Sequence, residues 1–147
     1  MPQDYVQHSE AEKHKIKLAD DYVARCYDNY LAHGCLMCER TKGEKRIFQT
    51  FPLLDQHMYM VHKFEFCSIC VENLNLFTRE RRFYSQRDLQ IHLETGDPDD
   101  KSHKGHPQCL FCSERFLDDD FRYQHLRRIH FFCQICDADG KSNYFFA

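Results

Sequence analysis

Eight of the nine cysteines in this 147-residue chain fall in Cys-x-x-Cys pairs: Cys35/Cys38, Cys67/Cys70, Cys109/Cys112 and Cys133/Cys136. Three of the pairs are followed by histidines at zinc-finger distance. The most regular unit is Cys109-x2-Cys112-x12-His125-x4-His130. Two soft thiolates and two imidazoles, paired at the ends of a short segment, close a tetrahedron around Zn²⁺. The first unit offers Cys35, Cys38, His57 and His62 in the same way. The second offers Cys67, Cys70 and His92, with His103 or His106 to complete the set; His106 is preferred because it abuts Cys109 much as His130 abuts Cys133. After Cys133 and Cys136 no histidine follows before Ala147, so this pair is read as a half site in a finger cut short. The expectation is three complete zinc sites and one half site. Four protein ligands leave no open position for a reactive water, which makes the zinc structural and the chain non-catalytic at these sites.

These ligands need small elements to carry them. In unit 1, Phe48-x5-Leu54-x2-His57 sets an aromatic on a hairpin and a leucine one helical turn before the first histidine. Unit 2 repeats the register as Phe83-x5-Leu89-x2-His92. What varies is the stretch from the second cysteine to the aromatic, which holds nine, twelve and three residues in units 1, 2 and 3. Insertions therefore fall in the hairpin while the helix keeps its spacing. Pro52 suits a first helical turn, and Ser85 with Asp88 resembles a capping box. Unit 3 has Arg122 at the leucine position, so Phe121, Tyr123 and Leu126 are expected to share its packing. Upstream, Ile16, Ala19, Val23, Tyr27, Tyr30 and Leu31 trace one face of an amphipathic helix from Glu10 to about His33, stopped by Gly34. That helix is expected to pack on unit 1, with Cys26 buried in the contact. The fold class is thus small, zinc-stabilised α+β: tandem divergent C2H2 (ββα) fingers with short linkers, preceded by an amphipathic helix. The divisions are 1–34, 35–66, 67–108, 109–132 and 133–147.

Units of this size fall below what a hydrophobic core holds together alone, and a structural zinc contributes on the order of 10–16 kcal/mol. Cysteine pairs with downstream histidines argue against a disulfide framework. No apolar N-terminal stretch resembles a signal peptide, and no run is long enough to span a membrane. A reduced, intracellular protein is expected, most simply a monomer; these features do not separate cytosol from nucleus.

The formal charge is −3, distributed as −2, +1, −1, 0 and −1 over the five divisions. No division is a basic block suited to generic duplex binding. At the base-facing helix positions stand Thr50, Leu53 and Gln56, then Ser85, Asp88 and Ile91, then Asp118, Phe121 and Gln124, with no Arg or Lys to pair with guanine. Linkers of four, two and two residues are too short for fingers that follow the major groove. A DNA-reading transcription factor is therefore the weaker reading. RNA is better served: Arg79, Arg81, Arg82 and Arg87 surround Tyr84, charge interleaved with a ring. Arg127 and Arg128 are further candidates, with Lys101, Lys104, Lys45 and Arg46 behind them. A protein–protein adaptor that touches no nucleic acid is the alternative. Threading the ligands into a cross-braced RING requires middle spacings that are too long.

From Cys35 onward the chain resembles the zinc-finger region of zinc finger protein 598-type E3 ubiquitin ligases. The resemblance is carried by CSICVENLNLFTRERRFYSQRDLQIHLETGDPDDKSHKGHPQCLFC (Cys67 to Cys112) and RFLDDDFRYQHLRRIHFFCQICD (Arg115 to Asp137). It covers about 110 residues, and the GDPDD-to-GHP segment is its most specific part. It implies recognition of collided ribosomes, ubiquitination of small-subunit proteins and a role in ribosome-associated quality control, with ribosome or RNA as partner. It also implies His106, the histidine of the GHP element, as the fourth ligand of unit 2. The family's catalytic RING has no counterpart in residues 1–34, so this chain is not expected to transfer ubiquitin alone. Arg122 departs from the aliphatic residue that the family places there.

Overall fold

The computed structural model of the chain describes residues 15–102, 104–132 and 145–146. Its elements are short helices and two-stranded sheets, an α+β arrangement that divides by contacts into two units. One comprises Met1–Glu65 with Asn75–Arg82, the other Phe66–Leu74 with Phe83–Ala147. Among the described residues, no helix is long and apolar enough to cross a membrane.

In the first unit, helix α1 spans Asp21–Leu31. It starts at Asp21 because Asp20 takes an extended backbone and its carboxylate accepts from Val23 N at 2.9 Å, satisfying a free helical donor. The predicted helix does not run unbroken into this cap: Ile16 and Ala19 lie outside it and Lys15 has φ 54°, while its predicted start at Glu10 lies outside the described residues. Burial corrects Cys26 as well. Ala24 is the helix's one fully buried residue, and Cys26, two positions on and therefore on the opposite face, is exposed.

Strand β1 (His33–Gly34) pairs antiparallel with β2 (Ile47–Phe48). The hairpin is not a simple loop, for helix α2 (Leu36–Lys42) lies between its strands. Cys35 is the N-cap, its sulfur accepting from Cys38 N at 3.4 Å, and Gly43 closes the helix at φ 67°. Helix α3 (Phe51–His57) follows with Pro52 in its first turn and runs directly into a π-helical turn over Met58–His62. Leu54, Met58, Cys35 and Cys38 form the buried centre.

Asn75–Arg82 completes this unit with a 3-10 turn at Thr78–Glu80. The Glu80 carboxylate accepts from Tyr30 Oη at 2.8 Å and Phe77 N at 2.9 Å. Thr78 Oγ1 meets His33 Nδ1 at 2.6 Å, and the Phe77 ring stands edge-on to Tyr30 with centroids 5.2 Å apart. This segment therefore bonds both α1 and β1.

The second unit begins at Phe66, within β3 (Glu65–Phe66), which pairs with β4 (Phe83–Tyr84); helix α4 (Ser68–Asn73) lies between them in sequence. Helix α5 (Gln86–Thr95) is capped by Ser85, whose Oγ accepts from Asp88 N at 3.2 Å and donates to Asp88 Oδ2 at 2.7 Å. Helix α6 (Asp119–Ile129) is capped by Asp118, accepting from Phe121 N at 3.0 Å, and Asp119 and Asp120 sit in its first turn, where the helix dipole favours anions. Phe121 and Tyr123 do not fill the space predicted for them; both are exposed. Arg122 is half-buried and pairs with the exposed Asp119 at 2.7 Å, its Nε shielded and without a hydrogen-bond partner. Strands β5 (Phe131–Phe132) and β6 (Phe145–Phe146) pair antiparallel. Cys133 and Cys136, His103 and residues 1–14 lie outside the described residues.

Candidate metal centres

Three tetrads draw together, each with its donor atoms within 4.8 Å of one another: Cys35/Cys38/His57/His62, Cys67/Cys70/His92/His106 and Cys109/Cys112/His125/His130. For Zn–S of about 2.3 Å and Zn–N of about 2.05 Å, tetrahedral angles separate S from N by about 3.5 Å and two N by about 3.3 Å. That spacing is the test of fit. In the first tetrad Cys35 Sγ and Cys38 Sγ lie 3.4 and 3.3 Å from His62 Nε2, and Cys38 Sγ lies 3.4 Å from His57 Nε2. In the second, Cys67 and Cys70 lie 3.4 and 3.3 Å from His106 Nε2, Cys70 lies 3.5 Å from His92 Nε2, and the two imidazole nitrogens are 3.2 Å apart. In the third, Cys109 is 3.4 Å from His130 Nε2 and Cys112 is 3.3 Å from His125 Nε2. Each tetrad can hold a metal ion, and its two thiolates and two imidazoles suit Zn²⁺.

The histidines reach their places by different backbone routes. His57 and His62 are separated by four residues, one more than an α-helical turn brings into line, and the π turn absorbs the extra residue. His125 and His130 have the same separation, yet α6 stays α-helical and His130 leaves it in extended conformation at φ −107°, ψ 155°. His106 comes from beyond α5. Gly96 (φ 87°) ends that helix, and the chain returns at Gly105 (φ 87°), where a Cβ would stand 2.6 Å from the Glu94 carbonyl. His106 N then donates to Leu93 O at 2.8 Å, and Arg115 Nη1 bonds Leu93 O and His106 O at 3.1 and 2.9 Å.

The surroundings of the tetrads also differ. His92 Nδ1 lies 3.0 Å from Asp97 Oδ1, with both side chains over nine-tenths buried, while Asp97 Oδ2 accepts from Tyr84 Oη at 3.0 Å and the Tyr84 ring stacks on His92 at 4.6 Å. His106 Nδ1 lies 3.1 and 3.3 Å from the Phe116 and Leu117 carbonyls. Such partners fix the tautomer that leaves Nε2 free to ligate. In the first tetrad Phe48 packs on His57 at 4.8 Å and Cys35 Sγ lies 3.6 Å from Met58 Sδ. In the third, Cys112 is exposed and His125 Nδ1 is 3.6 Å from Glu114, beyond hydrogen-bond length. Proton affinities differ among these groups: hydrogen bonding from Cys70 brings the Cys67 thiol down to about 3 and burial lowers His57, while burial raises the Cys38 thiol. Thiolate and neutral imidazole are the ligating forms.

Sequence reasoning had not singled out Asp97. Its signal was a carboxylate just beyond a helix-ending glycine, five residues after a candidate ligand. Tyr84, read as a nucleic-acid contact, has its hydroxyl and one ring face engaged at this site. The arginines separate: Arg79, Arg81 and Arg82 lie in the first unit, Arg87 in the second. Arg79 is 3.7 Å from Glu39, and Arg81 lies over the Phe51 ring at 5.0 Å. Arg127 lies over Tyr123 at 5.4 Å. Arg82, Arg87 and Arg128 are exposed.

No family model matches the chain, and no solved structure matches it. Among curated proteins it is 45% identical over 134 residues to "E3 ubiquitin-protein ligase ZNF598" of Homo sapiens, covering 91% of this chain and 14% of that protein. The ZNF598 of Danio rerio is 41% identical over 141 residues, covering 95% and 14%. "E3 ubiquitin-protein ligase hel2" of Schizosaccharomyces pombe is 44% identical over 80 residues, covering 52% and 11%. The chain therefore spans about one-seventh of the ZNF598 proteins it matches.

Proposed function

Because the chain belongs, through this one segment, to the family of ZNF598-type E3 ubiquitin-protein ligases, we propose that it is a zinc-stabilised module for recognising ribosome or RNA. Its elements are read as three divergent C2H2 fingers, with a helix set into the hairpins of the first two and Zn²⁺ in each tetrad. Recognition of collided ribosomes at the small subunit, in the cytoplasm, is the role proposed for it, with ubiquitin transfer supplied by a catalytic RING. The observation that carries a binding rather than a catalytic role is the composition of the tetrads: each offers four protein donors, which leaves a bound zinc no position for substrate. Arg82, Arg87 and Arg128 supply exposed positive charge for a phosphate backbone.

Sedimentation of the zinc-loaded chain with ribosomes tests the proposal. Co-migration with ribosomal fractions, strongest with nuclease-resistant disomes, is expected. A folded, zinc-loaded chain that stays at the top of the gradient removes ribosome recognition from this segment.

One observation favours a protein-binding adaptor as second reading: Tyr59, Met60 and Val61, consecutive on the π turn, are each more than half exposed. Charge reversal at Arg82, Arg87 and Arg128 separates the two, abolishing RNA binding on the first reading and sparing partner binding on the second.

A further inference from the structure

The second tetrad differs from the other two in how its last ligand is placed. His62 and His130 each follow their partner histidine after four intervening residues, so a helix or its end sets their position. His106 stands fourteen residues after His92, beyond the end of α5, and is 1% exposed. No single element fixes it, so tertiary contacts must.

Those contacts come from the segment that carries the cysteines of the third tetrad. Cys109 and Cys112 lie in a loop closed by an antiparallel bridge between Gln108 and Arg115, with Cys109 N donating to Glu114 O at 2.8 Å and Phe116 N to Pro107 O at 3.0 Å. The bridge brings Arg115 back beside His106. Its side chain is half-buried, and Nη1 donates to His106 O at 2.9 Å and to Leu93 O at 3.1 Å. Leu93 O is among the last four carbonyls of α5, which have no partner within the helix and lie at the end where the dipole favours a cation. The same carbonyl accepts from His106 N at 2.8 Å. Helix end, ligand backbone and guanidinium therefore meet at one oxygen. The two residues after Arg115 complete the hold, with His106 Nδ1 3.1 Å from Phe116 O and 3.3 Å from Leu117 O. All these groups belong to the second unit.

We propose that Arg115 is a positioning residue of the second metal site: it ties the backbone of His106 to the end of α5, so that this site is completed by the segment bearing the cysteines of the next one. The proposal deepens the zinc-stabilised reading and rests on zinc occupying the tetrads, whatever the chain recognises.

The test is competition of the zinc-loaded chain with a chelator of known affinity, followed through the NMR ring signals of His57, His106 and His125, one ligand from each tetrad. Arg115→Met removes the donors and keeps the length of the side chain. The free zinc needed to hold His106 in its bound state is expected to rise about tenfold, as for loss of an outer partner, with His57 unmoved. Arg115→Lys keeps a cationic donor and is expected to recover part of that shift. An unmoved His106 overturns the proposal. So does a shift confined to His125, which would mean that Arg115 serves only its own loop, and so does an equal shift at all three histidines, which would be general destabilisation. A lysine variant no better than the methionine one overturns the assignment to hydrogen bonding. If Arg115→Met does not fold with zinc, Arg115→Lys decides alone: a smaller rise at His106 supports the role, and no rise overturns it. A wild-type chain whose histidine signals never respond to zinc overturns zinc occupancy itself, the reading on which the role of Arg115 rests.

Discussion

At the scale of single residues, the second tetrad depends on groups that touch no metal. Asp97 orients His92 and is itself oriented by Tyr84, so two part-buried hydrogen bonds of 3.0 Å determine where Nε2 points. Loss of an outer partner of this kind weakens metal affinity roughly 10–100-fold. Asp97→Ala is expected to weaken one zinc site by that factor and leave two unchanged, measured by competition with a chromophoric chelator. A uniform change at all sites, or none, removes the orienting role. Gly105 is equally specific: its φ of 87° strains any L side chain, and a methyl there would meet the Glu94 backbone at 2.6 Å. Gly105→Ala is expected to destabilise the second unit by about 1–3 kcal/mol, the cost of forcing such a conformation. Gly43→Ala makes the comparison, having a similar φ but open space around its Cβ. Equal loss in the two variants would mean that the Glu94 contact carries no weight.

Among elements, two solutions to one spacing stand out. His57-x4-His62 uses a π turn, and His125-x4-His130 uses a helix that stops one residue short of its ligand. Deleting Met60, which is exposed, converts the first to the three-residue separation that an α-helix brings into line. The shortened chain is expected to keep its zinc at this site; loss of that zinc would show that the π turn sets ligand geometry itself. Packing differs as well. Leu54 is 1% exposed whereas α6 buries none of its residues fully. Leu54→Ala is therefore expected to cost about 2–5 kcal/mol, and Leu126→Ala clearly less, by denaturant unfolding of the zinc-loaded protein. The Thr78–Glu80 turn has an electrostatic anchor. Hydrogen bonds from Tyr30 first, and Phe77 second, hold the Glu80 carboxyl below its ordinary 4.5. That contribution is complete above the ordinary value and is lost as pH falls through the lowered one. Tyr30→Phe should move the Glu80 titration midpoint upward by NMR, and an unmoved midpoint argues against the anchor.

For the molecule as a whole, metal and fold are expected to be one equilibrium. The buried apolar residues are few, namely Ala24, Leu54, Met58 and four cysteines among the described residues. Cores of this size do not offset the entropy of ordering the chain. Chelation is expected to abolish helical circular dichroism and release three zinc ions per chain. Acid should do the same, since protons compete for thiolate and imidazole and zinc affinity falls as pH falls. Persistent structure after complete zinc removal would show that contacts such as those around Thr78 and Glu80 suffice.

The three Cys/His tetrads were legible in the sequence because zinc chemistry constrains residue type and spacing together, and a four-donor pattern repeated along a chain survives without knowledge of the fold. Leu54, with its place one turn before His57, was legible for the same reason: a helix converts separation in sequence into a face. Separation that no single element spans left no such trace. The docking of Asn75–Arg82 on α1 and β1, across 45 to 50 residues, is a contact of that kind. The helices inside the two hairpins and the contact of Asp97 with His92 are local, but they depend on turns that periodicity does not register. Cys26 shows the same limit in one residue. Periodicity placed it on an apolar stripe, but which side of a helix is buried depends on what packs against it, and the packing chose Ala24.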